Sequence, residues 1–225
     1  MNALEKKYFI HFTLRRLHSV VGLAALGLFL CEHFITNSFS VKGAASFNEK
    51  VAFLQAIPYL VLVEITALAV PFLFHTLYGL IIIFEGSVNA RRCNYARNWA
   101  YVAQRATAII VMIFLMFHVF ELRFYHKAYA DKIGFFQFLS QDYFTDPWTV
   151  AFYVIGLAAT FFHLANGLCT FCMTWGITIG PQSQRFMAGL AALVGLAFMG
   201  AGLGSLYGFI TAREVAGRIV SLLCP

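Results

Sequence analysis

Four histidines lie inside apolar stretches of helical length, one to a stretch: His33, His75, His118 and His163. An ionisable side chain in the bilayer interior costs about 2.5–3.5 kcal/mol on insertion scales for Arg, Lys or Asp, and an imidazole there also needs a partner. Four deep imidazoles, each from a different helix, point to a shared task. The commonest task for paired buried imidazoles is axial ligation of haem iron.

The elements that carry them follow from composition. The 225 residues are 60% apolar and 17% aromatic, with only 12% charged, and the mean hydropathy is +0.75. A soluble domain of this size carries about twice the charge. Apolar runs far longer than the roughly 10 residues of a barrel strand leave helices as the only spanning structure. The expected fold is all-α: an integral membrane bundle of five transmembrane helices forming a single membrane domain over 1–225. The spans are placed near 17–39, 56–84, 100–122, 148–174 and 186–211. Pro58, Pro147 and Pro181 stand near span ends, where a missing N–H costs little, and Pro71 lies inside the second span, where a kink is expected. Between the third and fourth spans, Phe135, Phe136 and Phe138 suggest an interfacial helix lying on the membrane.

The net charge of +6 suits anionic lipid or an acidic partner, and no aromatic-basic stripe points to nucleic acid. The first 16 residues, with Lys6, Lys7, Arg15 and Arg16, are too polar for the core of a cleavable signal peptide. An N-terminus on the cytoplasmic side puts nine of the 16 Lys and Arg there, including the Arg91, Arg92 and Arg97 cluster, and the positive-inside rule favours that multi-pass topology. The pair Cys169 and Cys172 reads as buried packing on one helix face. Met173 excludes the C-x-x-C-H pattern of c-type haem attachment.

Depth pairs the four histidines. With a rise of about 1.5 Å per residue, His33 and His118 each lie about 6 Å below the outer end of their spans. His75 and His163 each lie about 22 Å down, towards the cytoplasm. Mixed pairs are offset by about 16 Å, too far to share one iron. The expected centres are an outer one on His33 and His118 and an inner one on His75 and His163. Gly79 and Gly167 follow the inner ligands by four residues, on the same helix face, and leave room for a porphyrin. His11, His18 and His126 fall near span ends or in loops.

The chain resembles the di-haem cytochrome b membrane subunit of succinate:menaquinone oxidoreductases and fumarate reductases, of the single-chain five-helix type. The resemblance rests on Arg15-Arg-Leu-His-Ser19, Glu32-His-Phe34, Phe74-His-Thr-Leu-Tyr-Gly79, Arg97-Asn-Trp99, Gln104-Arg105, Phe117-His-Val119, Phe162-His-Leu-Ala-Asn-Gly167 and Thr174-Trp-Gly-Ile-Thr178, in order over about residues 8–211. It implies that His33, His118, His75 and His163 ligate two haem b groups. It also implies residence in the bacterial cytoplasmic membrane and a complex with two cytoplasmic partners. One would be a flavoprotein subunit with FAD, the other an iron–sulfur subunit carrying its clusters. Menaquinone would be the substrate of this chain, whose own sequence has no dinucleotide fingerprint and no cysteine cluster for dicarboxylate chemistry. In such a chain electrons pass from the iron–sulfur subunit to the inner centre, the outer centre and then the quinone.

Glu64 precedes His75 by 11 residues, about three turns, and so shares its face at the level of the outer pair. It is either a group that binds or protonates the quinone, or a carboxylate satisfied by Arg123 or loop groups. Arg15, Arg16, His18, Ser19 and Arg105 gather at cytoplasmic span ends, where they either hold propionates of the inner haem or snorkel to lipid phosphate. A second quinone site on this side, near His18 and Trp99, is also open. Two rival functions remain at this level: the cytochrome b subunit of a hydrogenase or formate dehydrogenase, and a haem-free membrane anchor or transporter. A transporter is expected to show internal repeats and broken helices, and the sequence has no convincing repeat. The direction of the reaction, succinate oxidation or fumarate reduction, lies outside the chain.

Overall fold

A capping box starts the first helix well ahead of its apolar stretch. The Glu5 N–H donates to Asn2 Oδ1 at 2.8 Å and the Asn2 N–H donates to Glu5 Oε2 at 2.9 Å, so the polar N-terminal residues are helical too. The resulting helix, α1, runs over Leu4–Lys42. In this computed structural model, residues 2–223 are described, with side chains for 2 and 4–212. After Gly43 comes α2, Ala44–Gln55, and a break at Tyr59, whose φ of 54° is left-handed. The further elements are α3 (Leu60–Glu85), α4 (Ala96–Tyr125), α5 (Lys127–Ile133), α6 (Pro147–Thr174) and α7 (Pro181–Ala212). No strand occurs among the described residues.

Five of these helices, α1, α3, α4, α6 and α7, are long and apolar enough to cross a membrane. Leu28, Leu77, Leu193 and Leu196 lie exposed on them. Apolar surface on this scale is stable in lipid and an aggregation hazard in water. Polar caps extend two of them, α1 and α6, past their most apolar stretch. Asp146 caps α6: its Oδ2 accepts from the Thr149 N–H at 2.8 Å and from the Thr149 hydroxyl at 3.0 Å. Those bonds, the backbone one first, hold the Asp146 carboxyl below its usual range. Pro147 then occupies the first helical position, where no N–H is needed. Pro71 takes effect one turn upstream: it has no N–H for the carbonyl four residues before it, and Glu64–Ala69 winds as π-helix.

The chain divides into two compact units. The first comprises Met1–Cys31, Tyr59–Ile109 and Thr160–Leu196, the second Glu32–Pro58, Ile110–Ala159 and Ala197–Pro225. In the first, polar contacts tie helix ends together. Arg15 pairs with Glu85 at 3.0 Å, Arg97 donates to Gln184 Oε1 at 2.9 Å, and Trp175 Nε1 donates to Ser19 Oγ at 3.1 Å.

The second unit has an aromatic core built around Phe47, Phe136, Phe138, Phe144, Tyr153 and Phe209. The expectation of a membrane-surface helix carrying Phe135, Phe136 and Phe138 is corrected here. Phe136 and Phe138 are 4% and 2% exposed, and Phe136 packs on Phe209 with ring centroids 5.4 Å apart. The segment folds onto α2, whose Asn48 accepts the Phe136 N–H at 3.1 Å and donates to Gln137 at 3.1 Å. The phenylalanines therefore have a protein surface to cover, and lipid is not required. Gly208 lets α7 approach the turn at 39–42 closely: a Cβ there would stand 2.7 Å from Ser40 Oγ and 2.8 Å from the Val41 nitrogen. The Ser40 hydroxyl uses that proximity to donate to the Ser205 carbonyl at 2.9 Å.

Candidate metal centres

Each unit contains one pair of facing imidazoles. In the first unit the rings of His75, on α3, and His163, on α6, have centroids 6.3 Å apart and planes 87° apart. In the second, His33 on α1 and His118 on α4 stand 5.8 Å apart with planes at 88°. The pairing is the one that depth along the helices predicts.

The spacing suits a shared metal. Two metal–nitrogen bonds of about 2.0–2.1 Å plus two ring radii of about 1.1 Å put imidazole centroids about 6.3 Å apart. Each pair offers two protein nitrogens, the number that bis-histidine axial ligation of haem takes. The tautomers also fit. His75 Nδ1 lies 3.1 Å from the His18 carbonyl, and His163 Nδ1 lies 3.3 Å from the Gln104 carbonyl. A carbonyl only accepts, so Nδ1 carries the proton and Nε2 keeps its lone pair for a metal. His118 Nδ1 lies 3.0 Å from the Tyr153 hydroxyl. In all three cases one ring nitrogen is engaged and the other is left for ligation.

The inner pair is framed by a reciprocal contact between α1 and α3. His18 stacks on His75 with centroids 4.0 Å apart and planes 7° apart. A Cβ at Gly22 would lie 2.3 Å from the His75 ring, and one at Gly79 would lie 3.2 Å from the His18 ring. Each helix thus supplies a histidine and, four residues on, a glycine that receives the other helix's histidine. Gly79 opens onto His18, while a Cβ at Gly167 would make only ordinary contact with Gln104 at 3.7 Å. Gln104 also donates from Nε2 to the His163 carbonyl at 3.1 Å and accepts from Asn166 at 2.9 Å, fixing α4 against α6.

The basic cluster is in the same unit. Arg16 lies over the Trp175 ring at 4.5 Å and donates to the Thr174 carbonyl at 3.4 Å. Arg105 lies over the Tyr101 ring at 3.5 Å and donates to the Ile82 carbonyl at 3.2 Å. Ser19 donates to the Arg16 carbonyl at 2.8 Å, and Arg15 is engaged by Glu85. Three buried polar atoms here lack a partner: Arg16 Nε, His18 Nδ1 and Arg105 Nε. The orphaned Arg16 and Arg105 donors, in the unit of the His75 and His163 pair, fit an acidic group held there, since a buried donor without an acceptor costs about 1–3 kcal/mol. Glu64 is half-buried at the start of the π-wound turn, in the same unit as His75.

Gly22 and Tyr153 are contributors that the sequence reading did not single out, and Gln104 stood there only within the Gln104-Arg105 motif, with no role assigned. Gly22 carried a signal: it follows His18 as Gly79 follows His75. Replacing it tests the frame. Gly22→Leu forces the His75 ring away from the His18 carbonyl, and if each imidazole pair holds one haem, the purified variant is expected to carry half the haem of the wild type. Full haem content in that variant, by pyridine haemochrome assay, would contradict the packing described.

The model of the family described as Succinate dehydrogenase/Fumarate reductase transmembrane subunit matches residues 86–203. The Succinate dehydrogenase cytochrome b558 subunit of Bacillus subtilis (strain 168) is 36% identical over 199 residues, 88% of this chain and 97% of that relative. No solved structure matches at a significant level.

Proposed function

The chain belongs to the family of succinate dehydrogenase/fumarate reductase transmembrane subunits, and from that premise we propose that it is a di-haem cytochrome b anchor passing electrons between an iron–sulfur subunit and menaquinone. The observation that supports this most is the pair of perpendicular imidazole couples at 5.8 and 6.3 Å, with a ring nitrogen left for iron in each. His33 and His118 would hold one haem b, His75 and His163 the other. When bound, the two haems supply one-electron carriers inside a medium where no aqueous carrier can move.

This chain's own residues do the rest. The His18 and Gln104 carbonyls orient the inner ligands. The Arg16 and Arg105 donors that protein leaves unmatched, with His18, Arg15 and Ser19 beside them, would hold the propionates. Glu64 binds the quinone or delivers its proton, since a carboxylate on the His75 face of α3 has an aqueous end of the helix a turn away. The flavoprotein with FAD and the iron–sulfur subunit dock on the cytoplasmic side, which is also the side of the N-terminus and the Arg91–Arg97 region. They carry the dicarboxylate half of the reaction.

The order of the pairs has an energetic consequence. Electrons moved outward across half the membrane core run with a potential that is positive outside, at roughly half of 2.3 kcal/mol per 100 mV. Succinate oxidation through menaquinone in intact cells is therefore expected to slow on adding an uncoupler, measured as oxygen uptake. Indifference to the uncoupler would move the quinone site to the cytoplasmic side, near His18 and Trp99. Glu64→Gln separates its two readings: quinone turnover falls at least tenfold with unchanged haem spectra if the carboxylate handles the proton. Unchanged turnover would make it structural.

A further inference from the structure

The three ligands whose outward nitrogen has a described acceptor do not share the same kind of acceptor. His75 and His163 each donate to a backbone carbonyl. His118 instead meets a phenol, Tyr153 Oη, at 3.0 Å. A hydroxyl both donates and accepts, so the direction of that bond is set by where its own proton goes. Tyr153 donates it onward to the Tyr143 hydroxyl at 3.4 Å, which leaves the Tyr153 oxygen to accept from His118 Nδ1–H. The hydrogen bonds then run in one direction, from His118 to Tyr153 to Tyr143.

Packing holds Tyr153 for this task. It is 6% exposed, edge-on to Phe144 at 4.9 Å and to Phe114 at 5.3 Å. Phe114 in turn lies against the His118 ring at 5.6 Å, and Gly156 accommodates Phe114, since a Cβ there would fall 2.3 Å from its ring. Burial holds the Tyr143 phenol above its ordinary range, so its hydroxyl stays protonated at physiological pH.

We propose that Tyr153, backed by Tyr143, is a positioning residue that sets the tautomer and donor strength of His118, and through it the redox potential of the outer centre alone. The inference rests on the reading of His33 and His118 as ligands to one haem. The physical reason is that an imidazole whose N–H has an acceptor is a stronger donor through its other nitrogen and favours the oxidised metal. A phenol is a weaker acceptor than a peptide carbonyl, so the two centres differ in a property that the ligand histidines alone do not reveal. Tyr153 also gives that difference a point of control in the second unit.

The test is Tyr153→Phe in the assembled complex purified from membranes, since Phe keeps the ring packing and removes only the hydroxyl. Redox titration followed optically and by low-temperature EPR reads both centres. The outer one is identified as the centre lost in His33→Leu. Its midpoint is expected to rise and its ferric signal to shift as the ring is freed, while the inner midpoint stays in place. Tyr143→Phe, which weakens Tyr153 as an acceptor, is expected to move the same centre the same way by less. Two haems with both midpoints unmoved, or both moved together, would overturn the proposal. If Tyr153→Phe does not assemble, Tyr143→Phe decides by the same criterion. A wild-type complex with fewer than two haems would instead overturn the ligand reading beneath it.

Discussion

An imidazole in lipid has to be held by something on both nitrogens, and the structure is arranged around that constraint. Where the outward bond is described, at His75, His163 and His118, protein supplies one acceptor per ring. At each pair the remaining nitrogens belong to two rings about 6 Å apart. Leaving them unmatched in a low-dielectric interior costs more than a typical hydrogen bond returns. Without a shared metal, the second ring nitrogens of His75, His163 and His118 would be polar atoms in places where leucine is stable.

The backbone pays attention to the same constraint. Gly22 and Gly79 lack side chains where α1 and α3 cross, so His18 and His75 stack and the His18 carbonyl reaches His75. Gln104 does the equivalent for His163 with a carbonyl and a side-chain amide. The second unit uses aromatic rings instead: Phe114, Phe144 and Tyr143 surround Tyr153 and fix its hydroxyl against His118. Short polar caps, the Asn2 and Glu5 box and the Asp146 bonds to Thr149, start α1 and α6, two of the four helices that carry these groups.

The five helices and the histidine pairs were legible because both depend on simple sums. Apolar length gives the spans, and a rise of about 1.5 Å per residue brings His33 level with His118 and His75 with His163. What was not legible depended on contacts between distant segments. Phe136 and Phe138 have the composition of a membrane-surface helix, and only the docking of that segment onto Asn48 and Phe209 buries them. Tyr153 is one aromatic among many along α6, and nothing in its neighbours marks the hydroxyl as an acceptor. Gly22 follows His18, which sits near a span end, so spacing alone does not mark this glycine as part of the same pattern. Pro71 was visible as a disturbance, but its form, a π-wound turn beginning at Glu64, required the backbone.

The proposed electron path requires each imidazole pair to grip one iron. Haem stoichiometry and a reduced-minus-oxidised spectrum of the purified wild-type protein test it most directly. Two protohaems per chain are expected, both low-spin in the ferric state, with the b-type absorption of bis-histidine ligation. A colourless protein, or one that holds a single haem when fully loaded, would contradict it.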